Sequence, residues 1–275
     1  MEYKLSLFRA RPQKGVAWVT GASSGIGKEV ALVLAARGYQ VIATARSTDK
    51  LEVLAKESEA LAGEIIAMSG DVTDEQVMAE MVAQIETDHG RLALAVFNAG
   101  LFLPVRGEGL RVEKFEQTFA VNVLGVVKGL VPAVAAMAAR GGGQVAIVSS
   151  VTGYGGLPLS GAYGASKAAL INMAESLKFD FDKMNIRIQV INPGFVDTPA
   201  TEDNPFPMPA LMDVDRAAER IVSGLEKGGF EVTFPRRFTW LLKIMAKLPY
   251  PLYFRLVGNG TGWNKRPLKP ADKPE

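Results

Sequence analysis

Val16-Ala17-Trp18-Val19-Thr20 runs straight into Gly21-Ala22-Ser23-Ser24-Gly25-Ile26-Gly27, then into an amphipathic stretch from Lys28 to Arg37 that Gly38 closes. An apolar strand, a glycine turn and a helix opening constrain the fold more than any other stretch. They aim backbone N–H groups and a helix N-terminus at one point, where a pyrophosphate is well held. The glycines are spaced G-x-x-x-G-x-G rather than G-x-G-x-x-G, so the strand-turn-helix context carries the reading and not the literal pattern.

The alternation then repeats. Strand patterns cover Tyr39–Ala45, Glu64–Met68, Leu92–Phe97, Val145–Val148, Ile186–Ile191 and Phe230–Phe234. Helical patterns cover Asp49–Leu61, 75–89, Val112–Arg140, the run from Tyr163 to about Met184, and Asp213–Lys227. Strands and helices alternating in this way predict an α/β fold: a doubly wound, parallel, seven-stranded, Rossmann-like sheet with both faces covered. One domain is expected over residues 1–235, with an amphipathic extension and loose tail over 236–275.

Composition narrows the chemistry by exclusion. There is no cysteine, so thiolate metal sites, disulfides and cysteine nucleophiles are excluded. His89 is the one histidine and sits at the polar end of a helix pattern before Gly90, which suits a helix C-terminus better than catalysis, and no metal site is expected. A net charge of +2 over 275 residues implies no nucleic-acid partner. The N-terminal residues are too poor in apolar side chains for a signal peptide, so a cytoplasmic location is expected, with membrane association as a further possibility.

Two places suggest a redox site. The second strand ends Thr44-Ala45-Arg46-Ser47, where a dinucleotide fold often carries a carboxylate for the ribose 2′-hydroxyl. Here a guanidinium follows instead, which favours NADP(H) over NAD(H). Between Ser149 and Lys167 a glycine-rich loop leads to Tyr163-x-x-x-Lys167, a spacing that puts phenol and ammonium on one helix face. A cation there is expected to lower the phenol pKa, and Ser150 reaches the same point if the loop folds back. Taken alone, the pair reads better as an ordinary exposed helix contact. Asn122 lies within an apolar helical run and needs a partner for its amide.

With these residues assembled, the chain resembles the classical short-chain dehydrogenase/reductase family over nearly its whole length up to about Pro235. The resemblance is carried by Thr20–Gly27, Asp71, Asn98-Ala99-Gly100, Asn122, Ser150, Tyr163-x-x-x-Lys167 and Pro193-Gly194 followed by Thr198. It implies a pyrophosphate turn at Gly21, Gly25 and Gly27, adenine contacts from Asp71 and Val72, and a cleft lined by Asn98, Ala99 and Gly100. It implies that Val196 and Thr198, after Pro193 and Gly194, hold the nicotinamide carboxamide or a nearby phosphate. Ser23, Ser24 and Ile26 complete the turn, and Tyr163 and Lys167 also touch the cofactor. Asn122, Ser150, Tyr163 and Lys167 are implied as the catalytic set, with Asn122 fixing a water that returns the proton through Lys167.

The expected reaction is NADP(H)-dependent hydride transfer to or from an apolar ketone, aldehyde or secondary alcohol of steroid, retinoid or lipid type. Candidate substrate residues are Tyr154, Leu157, Phe195, Phe206 and Met208, the last two in a loop over about 199–212 that is a candidate lid. Rival readings are a non-catalytic cofactor-binding regulator or membrane-surface scaffold, and an epimerase or dehydratase on the same fold. The resemblance also suggests a homodimer through helices around 113–139 and 160–183, with Ala133, Ala135, Ala136, Ala165, Ala168 and Ala169 allowing close approach there or burial against the chain's own sheet. Residues 236–257 interleave basic and large apolar side chains around Pro249 and Pro251 and suit peripheral membrane contact, a partner, or the chain's own cleft.

Overall fold

The computed structural model describes residues 7–199, 201 and 208–268. Seven parallel strands form one sheet in the order β3-β2-β1-β4-β5-β6-β7. They are β1 (Val16–Thr20), β2 (Gln40–Thr44), β3 (Glu64–Ala67), β4 (Leu92–Phe97), β5 (Gly143–Val148), β6 (Ile186–Pro193) and β7 (Glu231–Phe234). The helices between them are α1 (Gly25–Ala36), α2 (Thr48–Glu57), α3 (Glu75–Gln84), α4 (Val112–Phe119), α5 (Gly125–Ala139), α6 (Gly161–Lys183) and α7 (Val214–Lys227). Two further helices, α8 (Arg236–Met245) and α9 (Tyr250–Gly260), follow the last strand. The expected doubly wound, Rossmann-like architecture is the one found.

Strands β1, β4 and β5 are buried at every position, because both sheet faces carry helices. Alternate residues therefore feed two cores. Ala17, Val19, Val41 and Ala43 meet Val30 and Leu34 of α1 and Ile221 and Leu225 of α7. Trp18, Ile42 and Phe97 face the other way, against Met78 of α3, Val126 and Leu130 of α5 and Leu170 of α6. Trp18 meets Phe97 edge-on at 5.6 Å and donates its indole N–H to Thr44 at 2.9 Å, so its one polar atom is satisfied.

The run 112–139 is long and apolar enough to cross a bilayer by composition alone. Its residues Val126, Leu130, Ala133 and Met137 are instead buried against this core. The run is not one regular helix: a wide turn over residues 120–124 separates α4 from α5 and carries Asn122 inward. Strand order reverses between β1 and β4, and the carboxyl ends of the strands open there into a crevice.

Candidate active site

The crevice is a cleft of about 410 Å³ walled by the residues that follow each strand. After β1 come Gly21, Ser23, Ser24, Gly25 and Ile26; after β2, Arg46; after β3, Asp71 and Val72. Asn98, Ala99 and Gly100 follow β4, Ser150 follows β5, and Pro193, Gly194, Val196 and Thr198 lie at the end of β6 and beyond. Gly27 lies beneath this wall: a Cβ there would sit 2.2 Å from the Gly21 carbonyl oxygen. Gly21 itself has φ +68° and its Cβ position falls 2.7 Å from Ala99 Cα, so only glycine lets β1 turn this tightly against the β4 loop. Asn98 closes the turn by donating its amide to the carbonyls of Thr20 and Gly21, each at 3.2 Å.

These residues suit a dinucleotide. A side chain at Gly21 or Gly27 would meet backbone, which leaves the turn's N–H groups and the opening of α1 accessible to phosphate. Arg46 is exposed at the rim beside Ser23 and Ser24. Asp71 accepts hydrogen bonds from the Thr73 N–H and hydroxyl, both at 2.8 Å. The backbone bond from Thr73 leads in holding its carboxyl below the usual range, with Arg46 and Lys128 adding attraction.

Ser150, Tyr163 and Lys167 meet at the inner end of the cleft. Ser150 begins a short turn, accepting from the Thr152 N–H at 3.2 Å, and the following loop lies flat on α6 because Gly153 has no Cβ to strike Ile171 or the Lys167 carbonyl. That contact folds the loop back. The Ser149 hydroxyl donates to the Lys167 carbonyl at 2.8 Å and ties the end of β5 to the same helix.

The electrostatics differ from the sequence expectation. Burial pushes the Tyr163 phenol up to about 12, and a hydrogen bond with Ser150 only partly opposes it. Burial also pulls the Lys167 ammonium down to about 8. Nζ of Lys167 donates to the Val148 carbonyl at 2.8 Å and lies 5.5 Å from the Tyr163 ring centre. Desolvation therefore sets the direction of the phenol's shift, and the site rests with Tyr163 protonated.

Asn122 is fully buried, and its side-chain oxygen accepts from the Leu101 N–H at 2.7 Å. Its amide donates to the Leu101 carbonyl and to the Ser166 hydroxyl, each at 3.0 Å. Both amide hydrogens are used by protein groups and pin the loop after β4 to α6, while the oxygen keeps a second lone pair for a further donor. Lys167 Nζ and the Asn122 oxygen both lie within 3.6 Å of the point where a Cβ of Gly100 would be. A glycine keeps this converging corner open.

The expected substrate residues that are described lie outside the cleft wall. Tyr154 donates its hydroxyl to Glu231 at 2.5 Å, and Phe195 packs on Phe238 with ring centres 5.7 Å apart. Leu157 and Met208 are half-buried outside the cleft wall, and Phe206 lies outside the described residues. The wall instead includes Leu101 and Phe102, which sequence reasoning missed. Phe102 meets Tyr163 edge-on at 5.2 Å. Its place two residues after Asn98-Ala99-Gly100, at the mouth of the crevice, was the available signal.

Residues 15–206 match the family model for short chain dehydrogenases. The chain is 36% identical over 237 residues to an uncharacterized oxidoreductase of Myxococcus xanthus, covering 86% of this chain and 94% of that protein. It is 34% identical over 215 residues to a 3-oxoacyl-(acyl-carrier-protein) reductase of Thermotoga maritima, covering 78% and 84%. Among solved structures, an alcohol dehydrogenase of the archaeon Thermococcus sibiricus complexed with 5-hydroxy-NADP superimposes with a TM-score of 0.72 at 27% identity, covering 80% of this chain and 95% of that one. A glycine turn, a reversed strand order and a Ser-Tyr-Lys corner recur in one crevice for a shared reason: the chain belongs to the classical short-chain dehydrogenase/reductase family, whose members bind a nicotinamide cofactor, and is one of its oxidoreductases.

Proposed function

We propose that the protein is an NADP(H)-dependent reductase or dehydrogenase acting on an apolar ketone, aldehyde or secondary alcohol. The observation that carries this reading is the convergence of Ser150, Tyr163 and Lys167 on a cleft whose other end is the glycine turn and Arg46. A bound nicotinamide supplies or accepts the hydride. In the reducing direction Tyr163, protonated at neutral pH with its pKa near 12, gives its proton to the carbonyl oxygen as that oxygen gains charge. Ser150, whose hydroxyl opposes the rise of the Tyr163 pKa, is placed to hold the same oxygen in line.

Lys167 donates to the neutral Val148 carbonyl, so its charge is left to stabilise the phenoxide that proton transfer leaves behind. Asn122 acts by position, keeping Leu101 and α6 in register around that corner. Support for NADP(H) comes from exposed Arg46 at the rim, with no carboxylate at the end of β2, and from the NADP derivative in the archaeal relative. Support for an apolar substrate comes from Leu101 and Phe102 beside Tyr163.

The test is a panel of apolar and acidic carbonyl compounds assayed with NADPH and NADH, run on the natural protein and on Tyr163→Phe. Turnover of apolar carbonyls with NADPH is expected, falling at least ~1000-fold in the variant while NADPH binding stays within a few-fold. Undiminished turnover in Tyr163→Phe contradicts the mechanism, and a preference for small keto acids contradicts the substrate class.

A further inference from the structure

Helices α8 and α9 are packed on the domain by one side only. Thr239, Tyr253 and Val257 are buried, and Tyr253 donates its hydroxyl to the Gly156 carbonyl at 2.7 Å. On the outer side of α8, Arg236, Arg237, Trp240, Leu241, Ile244 and Lys247 are all exposed. Their spacing of one, three, one, three and three residues puts them on a single stripe, apolar in the middle and basic at both ends.

The stripe holds Trp240 at 58%, Leu241 at 53% and Ile244 at 59% exposure. α9 adds Tyr250 and Phe254, at 76% and 62%, with their rings stacked 5.8 Å apart and Arg255 exposed beside them. Scattered apolar residues on a surface are ordinary, but this many within two successive short helices are not.

Charge says what covers this face. From Val232 to Ala271 the sequence carries eight Lys and Arg and no Asp or Glu, whereas the whole chain is only +2. Lys243 and Arg266 of these are paired with Glu231 and Glu108, and Arg236, Arg237, Lys247, Arg255 and Lys265 remain exposed on the segment that also exposes the aromatics. A second copy of the same face would bring like charges together, which weighs against self-association there. An anionic bilayer surface takes both features, since aromatic and aliphatic side chains sit at the headgroup level and Lys and Arg meet lipid phosphates.

We propose that the outer face of α8 and α9 docks the protein on an anionic lipid bilayer. The docked segment is the one that backs the cleft. Phe238 of α8 packs on Phe195, next to Pro193 and Gly194 of the cleft wall, and Tyr253 holds the loop between Ser150 and Tyr163. Docking would thus set the substrate side of the cleft close to the lipid, whichever carbonyl compound is turned over.

Co-sedimentation of the full chain with vesicles tests this, comparing phosphatidylcholine alone with phosphatidylcholine containing one-third phosphatidylglycerol. Binding to the anionic vesicles at low salt, with at least about tenfold weaker partition at high salt, is expected. Arg236→Ala with Arg237→Ala should weaken it about tenfold or more. Trp240→Ser with Phe254→Ser should do the same while turnover of a water-soluble carbonyl stays unchanged. Failure of the natural protein to bind, or equal binding to both vesicle types, overturns the proposal. So does a concentration-dependent dimer that Trp240→Ser with Phe254→Ser dissociates, since it would assign the face to a second copy.

Discussion

At the scale of single residues, the Tyr163–Lys167 corner trades stability for chemistry. Lys167 has its pKa lowered by burial from 10.5 to about 8, so keeping it charged at neutral pH costs about 3 kcal/mol. Between pH 8 and 10.5 the unfolded chain binds more protons at this site than the folded one, so its contribution to stability rises with pH. Tyr163 acts in the opposite sense, because the folded state holds its proton from pH 10 to about 12 and loses stability as pH climbs through that range. Lys167→Met is therefore expected to raise the urea unfolding free energy at pH 7 by about 1–2 kcal/mol, the Val148 carbonyl losing its donor, while turnover is lost. In the natural enzyme kcat/KM for carbonyl reduction should fall above about pH 8, as Lys167 loses the charge that steadies the phenoxide. Arg46 makes a separate prediction. Arg46→Asp should lower kcat/KM for NADPH about 100-fold and leave that for NADH within a few-fold, whereas a parallel loss for both cofactors would remove the 2′-phosphate role.

At the scale of elements, Glu231 on β7 is the joint between the sheet and the C-terminal helices. It accepts from the Tyr154 hydroxyl at 2.5 Å and the Asn192 amide at 2.7 Å, and it pairs with Lys243 of α8. Burial would raise its carboxyl, but hydrogen bonds from Lys243, Tyr154 and Asn192 pull it below the usual range. Tyr154, with its hydroxyl turned to this joint, links the loop after Ser150 to α8. Glu231→Gln should cost about 1–3 kcal/mol and speed amide exchange over residues 236–245 and 153–156 together. Exchange confined to α8 would show that the joint does not couple the two. A second joint is the pair of Arg266 and Glu108, which fastens the segment after α9 near α4.

At the scale of the molecule, α5 and α6 also expose apolar side chains, as α8 and α9 do. Leu124 and Val131 on and beside α5, and Phe179 on α6, are 52%, 64% and 76% exposed. Ala135, Ala165 and Ala168 are exposed with them, while Ala133 is buried in the chain's own core and Ala136 and Ala169 are half-buried. Small residues between large apolar ones suit a two-fold helix-to-helix contact, and we propose a homodimer through α4, α5 and α6 on that ground. Val131→Arg with Phe179→Glu should weaken it at least ~100-fold in sedimentation velocity, with the fold retained by circular dichroism. A dimer that survives both changes would place the contact elsewhere.

Much of this was legible in the chain because it is local. Strand runs such as Leu92–Phe97 and the turn at 20–27 declare themselves through apolar length and glycine, since backbone sterics act within a few residues. The i,i+4 spacing of Tyr163 and Lys167 likewise settles which helix face they share. What tertiary structure alone decided is where burial falls. It reversed the expected direction of the Tyr163 shift, turned Tyr154 toward Glu231, brought Phe102 to the phenol and spent the Asn122 amide on Leu101 and Ser166. The physical reason is that desolvation and hydrogen-bond partners arise between segments far apart in the chain, and no spacing within one segment encodes them.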